Sequence, residues 1–159
     1  MDRFTSALIS QYTHTIPRED DWFAPLIGDW DFHRTRQVNG MDCCEKGEWF
    51  FRRAFDGNGI VDLMVCENQP GVIQRSMVVR TYDAAERRYE MVYVNGNNAL
   101  HLKFEKKGDY LIGTVQDKPN EKWAFSDISA KSFKWNHVIV NEDGTWKSKT
   151  RIYATRKLN

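Results

Sequence analysis

The sequence predicts an all-β fold: a single antiparallel barrel of eight to ten strands behind a short helical N-terminal segment. Three observations predict it. Turn-forming stretches recur at short intervals from residue 38 onward. The runs between them are rich in Val, Ile, Tyr, Phe, Trp and Thr, number about ten, and span roughly six to eleven residues each. No helix-period segment long enough for a crossover lies between them, so consecutive strands must pair as hairpins.

The elements follow in order. Residues 2–12, "DRFTSALISQY", place Phe4, Ala7, Leu8 and Tyr12 at helical spacing, and Pro17 ends any helix there. "DDWFAPLIG" (20–28) reads as a second short turn that opens with acidic residues and stops at Gly28. The turn signals then run "VNGM" (38–41), "FDGNG" (55–59), "NQPG" (68–71), "YDAAERR" (82–88) and "NGNN" (95–98). They continue with "KKGD" (106–109), "QDKPNE" (116–121), "SDISAKS" (126–132) and "NEDG" (141–144). Asn-Gly and Asp-Gly supply the positive φ that tight hairpins need. A meander of this length normally closes, because closure removes its exposed edges. The expected division is residues 1–27, packing on or capping the barrel, and residues 28–159, the barrel itself. No internal repeat or linker interrupts it.

Alternation along each run assigns an interior face. Trp30 and Phe32 share a face with Arg34 and Arg36, which reads as two aromatics plugging one end and two cations reaching a cavity or its rim. Trp49, Phe51, Arg53 and Phe55 form one set, opposed by Glu48, Phe50, Arg52 and Ala54. Leu100, Leu102 and Phe104 point inward, with His101 and Lys103 outward. Trp123 shares a face with Phe125, and Phe133 shares one with Trp135, His137 and Ile139. Trp146, Ser148, Thr150, Ile152, Ala154 and Arg156 form the last set. Tyr89 and Tyr93 join the interior. Residues 59–66 are apolar on both faces, which leaves the side taken by Asp62 open. Several charged groups on an aromatic interior argue for a wet or ligand-holding cavity, since burying unpaired charge in a packed core is costly.

Gly28-Asp29-Trp30, on the first strand after a short helical segment, resembles the Gly-X-Trp motif of the lipocalin and calycin superfamily. There an Arg near the end of the last strand packs across the Trp, and Arg156 in "YATRK" holds the matching place. "GEWFFRRAFDGNGIVD" (47–62), "RTYD" (80–83), "WAFSDISAKSFKWN" (123–136) and the following "DGTWK" resemble a set of bacterial lipocalin-like proteins of unassigned function. The resemblance covers most of residues 25 to 157. It implies a lipocalin-like barrel with an internal ligand site, and it implies no reaction.

Composition narrows the partners. Lys and Arg total 23 against 22 Asp and Glu, a net charge of +1, which gives no electrostatic case for nucleic acid or an anionic membrane. No N-terminal apolar run reads as a signal peptide and no stretch is long enough for a transmembrane helix. Cys43, Cys44 and Cys66 are odd in number and read as reduced thiols, so the expected location is cytoplasmic. His14, His33, His101 and His137 are scattered, without H-x-H, HExxH or CxxC spacing, so no metal is expected. A lone His137 is too little to specify haem, and "GNG" at 57–59 is a hairpin turn rather than a phosphate loop. The expected cofactor is therefore none. Cys66 reads as a small core residue, and no G-x-S-x-G elbow occurs.

The favoured function is binding of a small, largely apolar or aromatic molecule with a polar or anionic end. Its candidate contacts are Arg34, Arg36, Trp49, Phe51, Arg53, Tyr93, Trp123, Trp135 and His137. The rival is a cofactor-free isomerase, lyase, cyclase or hydrolase, with His137 as general acid or base and Asp62 orienting it. A third reading is an interaction module whose barrel is filled by its own aromatics. The chain is expected to be a monomer or homodimer.

Overall fold

The computed structural model describes residues 1–8 and 16–158. Ten antiparallel strands form one closed barrel: β1 (Gly28–Val38), β2 (Met41–Ala54), β3 (Gly59–Gln69), β4 (Val72–Asp83), β5 (Arg88–Val94), β6 (Ala99–Lys107), β7 (Tyr110–Val115), β8 (Lys118–Ser126), β9 (Ser132–Val140) and β10 (Trp146–Arg156). Each strand pairs with the next, and β1 closes the ring against β10. The chain is a lipocalin-like β-barrel.

Local chemistry sets the register that later decides the site. Asn39 and Gly40 both take positive φ, +52° and +75°, the I′-type turn that suits the strand twist. That turn places Val38 opposite Met41 and therefore Arg34 opposite Glu45. On the other side of β1, Trp30 lies opposite Arg156 and Arg36 opposite Thr150.

One end of the barrel is packed solid. Trp30, Phe51, Phe104, Phe125 and Phe133 are fully buried there. Phe23, from the segment before β1, enters the same cluster, 4.9 Å from the Tyr89 ring and 5.5 Å from Phe104, both edge-on. Each large apolar side chain removed from water contributes about 1.5–3 kcal/mol, and edge-to-face contacts add to that. Two glycines make room for the rings. Phe32 lies over Gly47 on the paired strand, where an added Cβ would sit 2.7 Å from the ring, and Phe104 lies over Gly113 in the same way.

The segment 16–27 is tied to this end by directed contacts. Trp30 Nε1 donates to Leu26 O at 2.8 Å. The Arg156 guanidinium lies over the Trp30 ring at 4.2 Å and donates to the carbonyls of Ala130, Ile27 and Pro25. Gly28 has φ +133°, and any Cβ there would run into that guanidinium. Buried Asp20 accepts from the Tyr82 hydroxyl and, at 3.0 and 2.8 Å, from Arg87. Its backbone carbonyl accepts from the Tyr89 hydroxyl at 2.7 Å.

The N-terminal helix is described over Arg3–Leu8, which carries no buried residue, and Tyr12 and His14 lie outside the described residues. Two expectations change. Phe55 does not continue the interior set of β2. It begins a 3-10 turn (Phe55–Gly57) with φ +52° and is half exposed, because the chain must reverse there into β3. In β10 a bulge at Lys149 breaks the alternation: Ser148 pairs with Val138, but Thr150 pairs with His137. The extra residue turns Trp146 and Ser148 to the outer surface, where Trp146 meets Tyr110 with ring centroids 5.6 Å apart.

Trp30→Ala is expected to lower the unfolding free energy by about 3–5 kcal/mol, read from a denaturant titration. An unchanged midpoint would show that the ring does not seal the packed end.

Candidate functional site

Above the packed end the barrel holds a cavity of about 290 Å³. An engineered cavity of about 150 Å³ admits benzene, so this one has room for roughly two rings. Its floor is polar. Asp62 accepts from Trp49 Nε1 at 2.8 Å and from Arg80 Nη1, and Arg80 itself is 1% exposed. The Arg80 guanidinium lies 4.8 Å from the centre of the Phe23 ring, with Phe51, Phe104 and Phe125 also within 6 Å. Burial pushes the Asp62 carboxyl above its ordinary value, and Arg80 and Trp49 act against that.

The walls divide by strand. Tyr93, Trp123 and Trp135 form an aromatic arc on β5, β8 and β9, with Tyr93 edge-on to Trp123 at 5.1 Å and Trp123 edge-on to Trp135 at 5.5 Å. Met64, Val78, Met91, Leu100 and Ile152 supply aliphatic wall. The rim is polar, with Gln74, Ser76, Asn95, Asn98 and Thr150.

Charge concentrates at two places on the rim. On β1 and β2, the buried Glu45 carboxylate accepts from Arg34 Nε at 3.2 Å, and from Arg36 Nε and Nη2 at 2.6 and 3.2 Å. Arg34 Nη2 also donates to Asn68, at 2.7 Å. Burial alone would raise the Glu45 pKa, but Arg36 and Arg34 outweigh it and hold the carboxyl below its ordinary value. Two guanidiniums share one carboxylate, so this corner keeps one net positive charge. On β8 and β9, His137 Nε2 lies 2.7 Å from Glu121 Oε1. Burial lowers the His137 pKa, and Glu121 opposes it without prevailing.

The structure brings Arg34, Arg36, Trp49, Asp62, Tyr93, Trp123, Trp135 and His137 to one cavity. Phe51 and Arg53 lie elsewhere. Phe51 is fully buried below the floor, 5.1 Å from Trp49 and 6.1 Å from Phe133. Arg53 continues past the floor and clamps Asp21 through two hydrogen bonds, 3.1 and 2.7 Å, so it serves the closed end. Strand length explains both: two residues along β2 move a side chain about 6.6 Å down the barrel. Asp62 faces inward but does not orient His137, since Trp49 and Arg80 engage its oxygens. The carboxylate that does so is Glu121.

Arg80, Glu45 and Glu121 join the cavity and its rim without being among the expected contacts, and each has a readable signal. Arg80 shares its face with Ser76, Val78 and Tyr82. The Asn39-Gly40 turn sets Glu45 against Arg34. Glu121 stands two residues before Trp123, on the same face. His33 is exposed, and exposed His101 is held by Glu90 at 2.7 Å. Among the described residues, no three His, Cys, Asp or Glu side chains gather as a metal site, and no helix is long and apolar enough to cross a membrane.

Comparison with known proteins places the fold. The chain superposes on Rv2717c from M. tuberculosis with a TM-score of 0.60, covering 90% of this chain and 99% of that one at 8% identity. It superposes on the S-type phycobiliprotein lyase CPES from Guillardia theta with a TM-score of 0.58, covering 89% and 93% at 10% identity. At such identities the likeness is one of fold. No protein-family model and no curated protein matches the sequence.

Removing one partner of the buried Arg80–Asp62 pair leaves the other charge uncompensated. Arg80→Met is therefore expected to cost about 3–5 kcal/mol of stability. Adding Asp62→Leu is expected to recover part of that loss in the same urea titration. A near-neutral single variant would contradict the buried ion pair.

Proposed function

We propose that the barrel binds a small molecule with an apolar, aromatic body and a single anionic end, a monocarboxylate in chemical class. The observation that carries this reading is the 290 Å³ cavity, lined by Trp123, Trp135 and Tyr93 and bordered by one uncompensated positive charge. A barrel filled by its own aromatics would leave no such space. The apolar body lies along the arc, where flat rings stack well and apolar area is withdrawn from water. The anion meets Arg36 and Arg34 at the rim. Glu45 engages Nε of both and Nη2 of Arg36, which leaves Nη1 of each without a partner among the described residues. The floor does not compete for the anion, because Asp62 already neutralises Arg80.

Calorimetric titration with 2-naphthoate and its neutral isostere 2-naphthamide tests the reading. A hydrogen bond to a charged group contributes about 1.5–3 kcal/mol, so the carboxylate is expected to bind roughly ten- to a hundredfold tighter. Arg36→Met is expected to remove most of that preference. Equal affinity for the two probes would refute the anionic end, and no binding of either would refute the binding reading.

A further inference from the structure

The His137–Glu121 pair is more elaborate than a binding wall requires. We infer that the cavity also catalyses a proton shift on its ligand, a cofactor-free keto–enol or allylic isomerisation of an aromatic acid with a carbonyl near the carboxylate. The inference rests on the binding reading above.

Four pieces of geometry carry it. His137 lines the cavity, while Glu121, on the inner face of β8 and nearer the rim, holds its Nε2 at 2.7 Å. An ionised carboxylate only accepts, so Nε2 carries the proton and Nδ1 presents its lone pair. Nδ1 has no partner among the described residues. Finally, strand register sets a cation two strands away along the same row. Arg36 pairs with Thr150, and Thr150 pairs with His137, so the three stand on one inner row. Two strand spacings separate the backbones of Arg36 and His137 by about 10 Å, a gap that a carboxylate-bearing ring fragment spans. A base fixed in one tautomer, a cation on the same inner row and a walled cavity make up the constellation for abstracting a proton beside a carbonyl.

The step balances without a co-reactant. Nδ1 takes a proton from the carbon beside the ketone. The C–H bonding pair becomes the new C=C bond as the carbonyl π pair moves onto oxygen. The imidazolium, whose N–H exchanges with solvent, then delivers a proton to oxygen, or to the far carbon, and imidazole is restored. Arg36 holds the carboxylate throughout, and Glu121 steadies the imidazolium as a positioning residue.

Phenylpyruvate, an aromatic 2-keto acid, is the probe. Its benzylic hydrogen–deuterium exchange in heavy water is followed by NMR, and its binding by quenching of indole fluorescence. The wild-type chain is expected to accelerate exchange saturably. His137→Gln is expected to lose at least a hundredfold of the rate at saturation, within the range typical for a lost general base. The active form is neutral His137, whose pKa is lowered by burial, so the rate falls only below the ordinary value of 6.5. The charges facing this ring are Glu121, Lys118 and Lys149, with Arg36 across the row. Glu121→Gln removes the one that favours imidazolium, so the acidic limb is expected to move to still lower pH, a shift that loss of packing would not produce. Bound phenylpyruvate with no accelerated exchange, or undiminished exchange in folded His137→Gln, overturns the catalytic inference and leaves the binding reading standing. Absence of binding by phenylpyruvate and 2-naphthoate alike overturns both.

Discussion

The Arg80–Asp62 pair decides where the barrel stops being a core and becomes a cavity. A guanidinium with almost no exposure has to find both a counter-charge and a tolerant surround, since an isolated buried ion is far too costly. Asp62 supplies the first, and the faces of Phe23, Phe51, Phe104 and Phe125 supply the second. Trp49 completes the arrangement by donating its indole N–H to Asp62. Below this layer the aromatic rings interlock and Trp30 is sealed by Arg156. Above it the interior is open. The layer is a floor of no net charge, because Asp62 balances Arg80 before any ligand arrives.

That neutrality gives the rim its importance. The whole chain has a net charge of +1, yet its interior is polarised. Arg34 and Arg36 against Glu45 leave a positive corner on β1, while His137 and Glu121 place a proton acceptor on β9. Beside the second, on β5, β8 and β9, runs an aromatic wall that presents surface rather than charge. In the proposed reading, the ligand that satisfies all three regions is a compact aromatic anion. On that proposal, the same separation lets one site hold a molecule by its charged end with His137 near its middle.

The sequence carried the barrel well because the signals were local. Asn39-Gly40 dictates a tight hairpin, alternation in β1 separates Trp30 from Asp31, and Gly28, Trp30 and Arg156 meet as their resemblance to lipocalins implies. The site was legible where alternation alone was enough, as for Trp123, Trp135 and His137. It was less legible where depth along the barrel mattered. Phe51 and Arg53 have the right parity but lie too far down, and parity says nothing of height. Trp146 was misplaced because one bulged residue at Lys149 reverses every side chain before it, and no composition signal marks that bulge. Glu45 and Arg80 are not legible from pattern alone, because acidic and basic side chains on a strand usually face water. They face inward here only because each finds its partner across the register.

The most direct test of a ligand-holding cavity with a charged rim is a crystal structure of the chain grown with 2-naphthoate. The account expects the rings against Trp123 and Trp135 and the carboxylate within hydrogen-bond distance of Arg36. An empty cavity at saturating ligand, or a carboxylate that breaks into the Asp62–Arg80 pair at the floor, would contradict it.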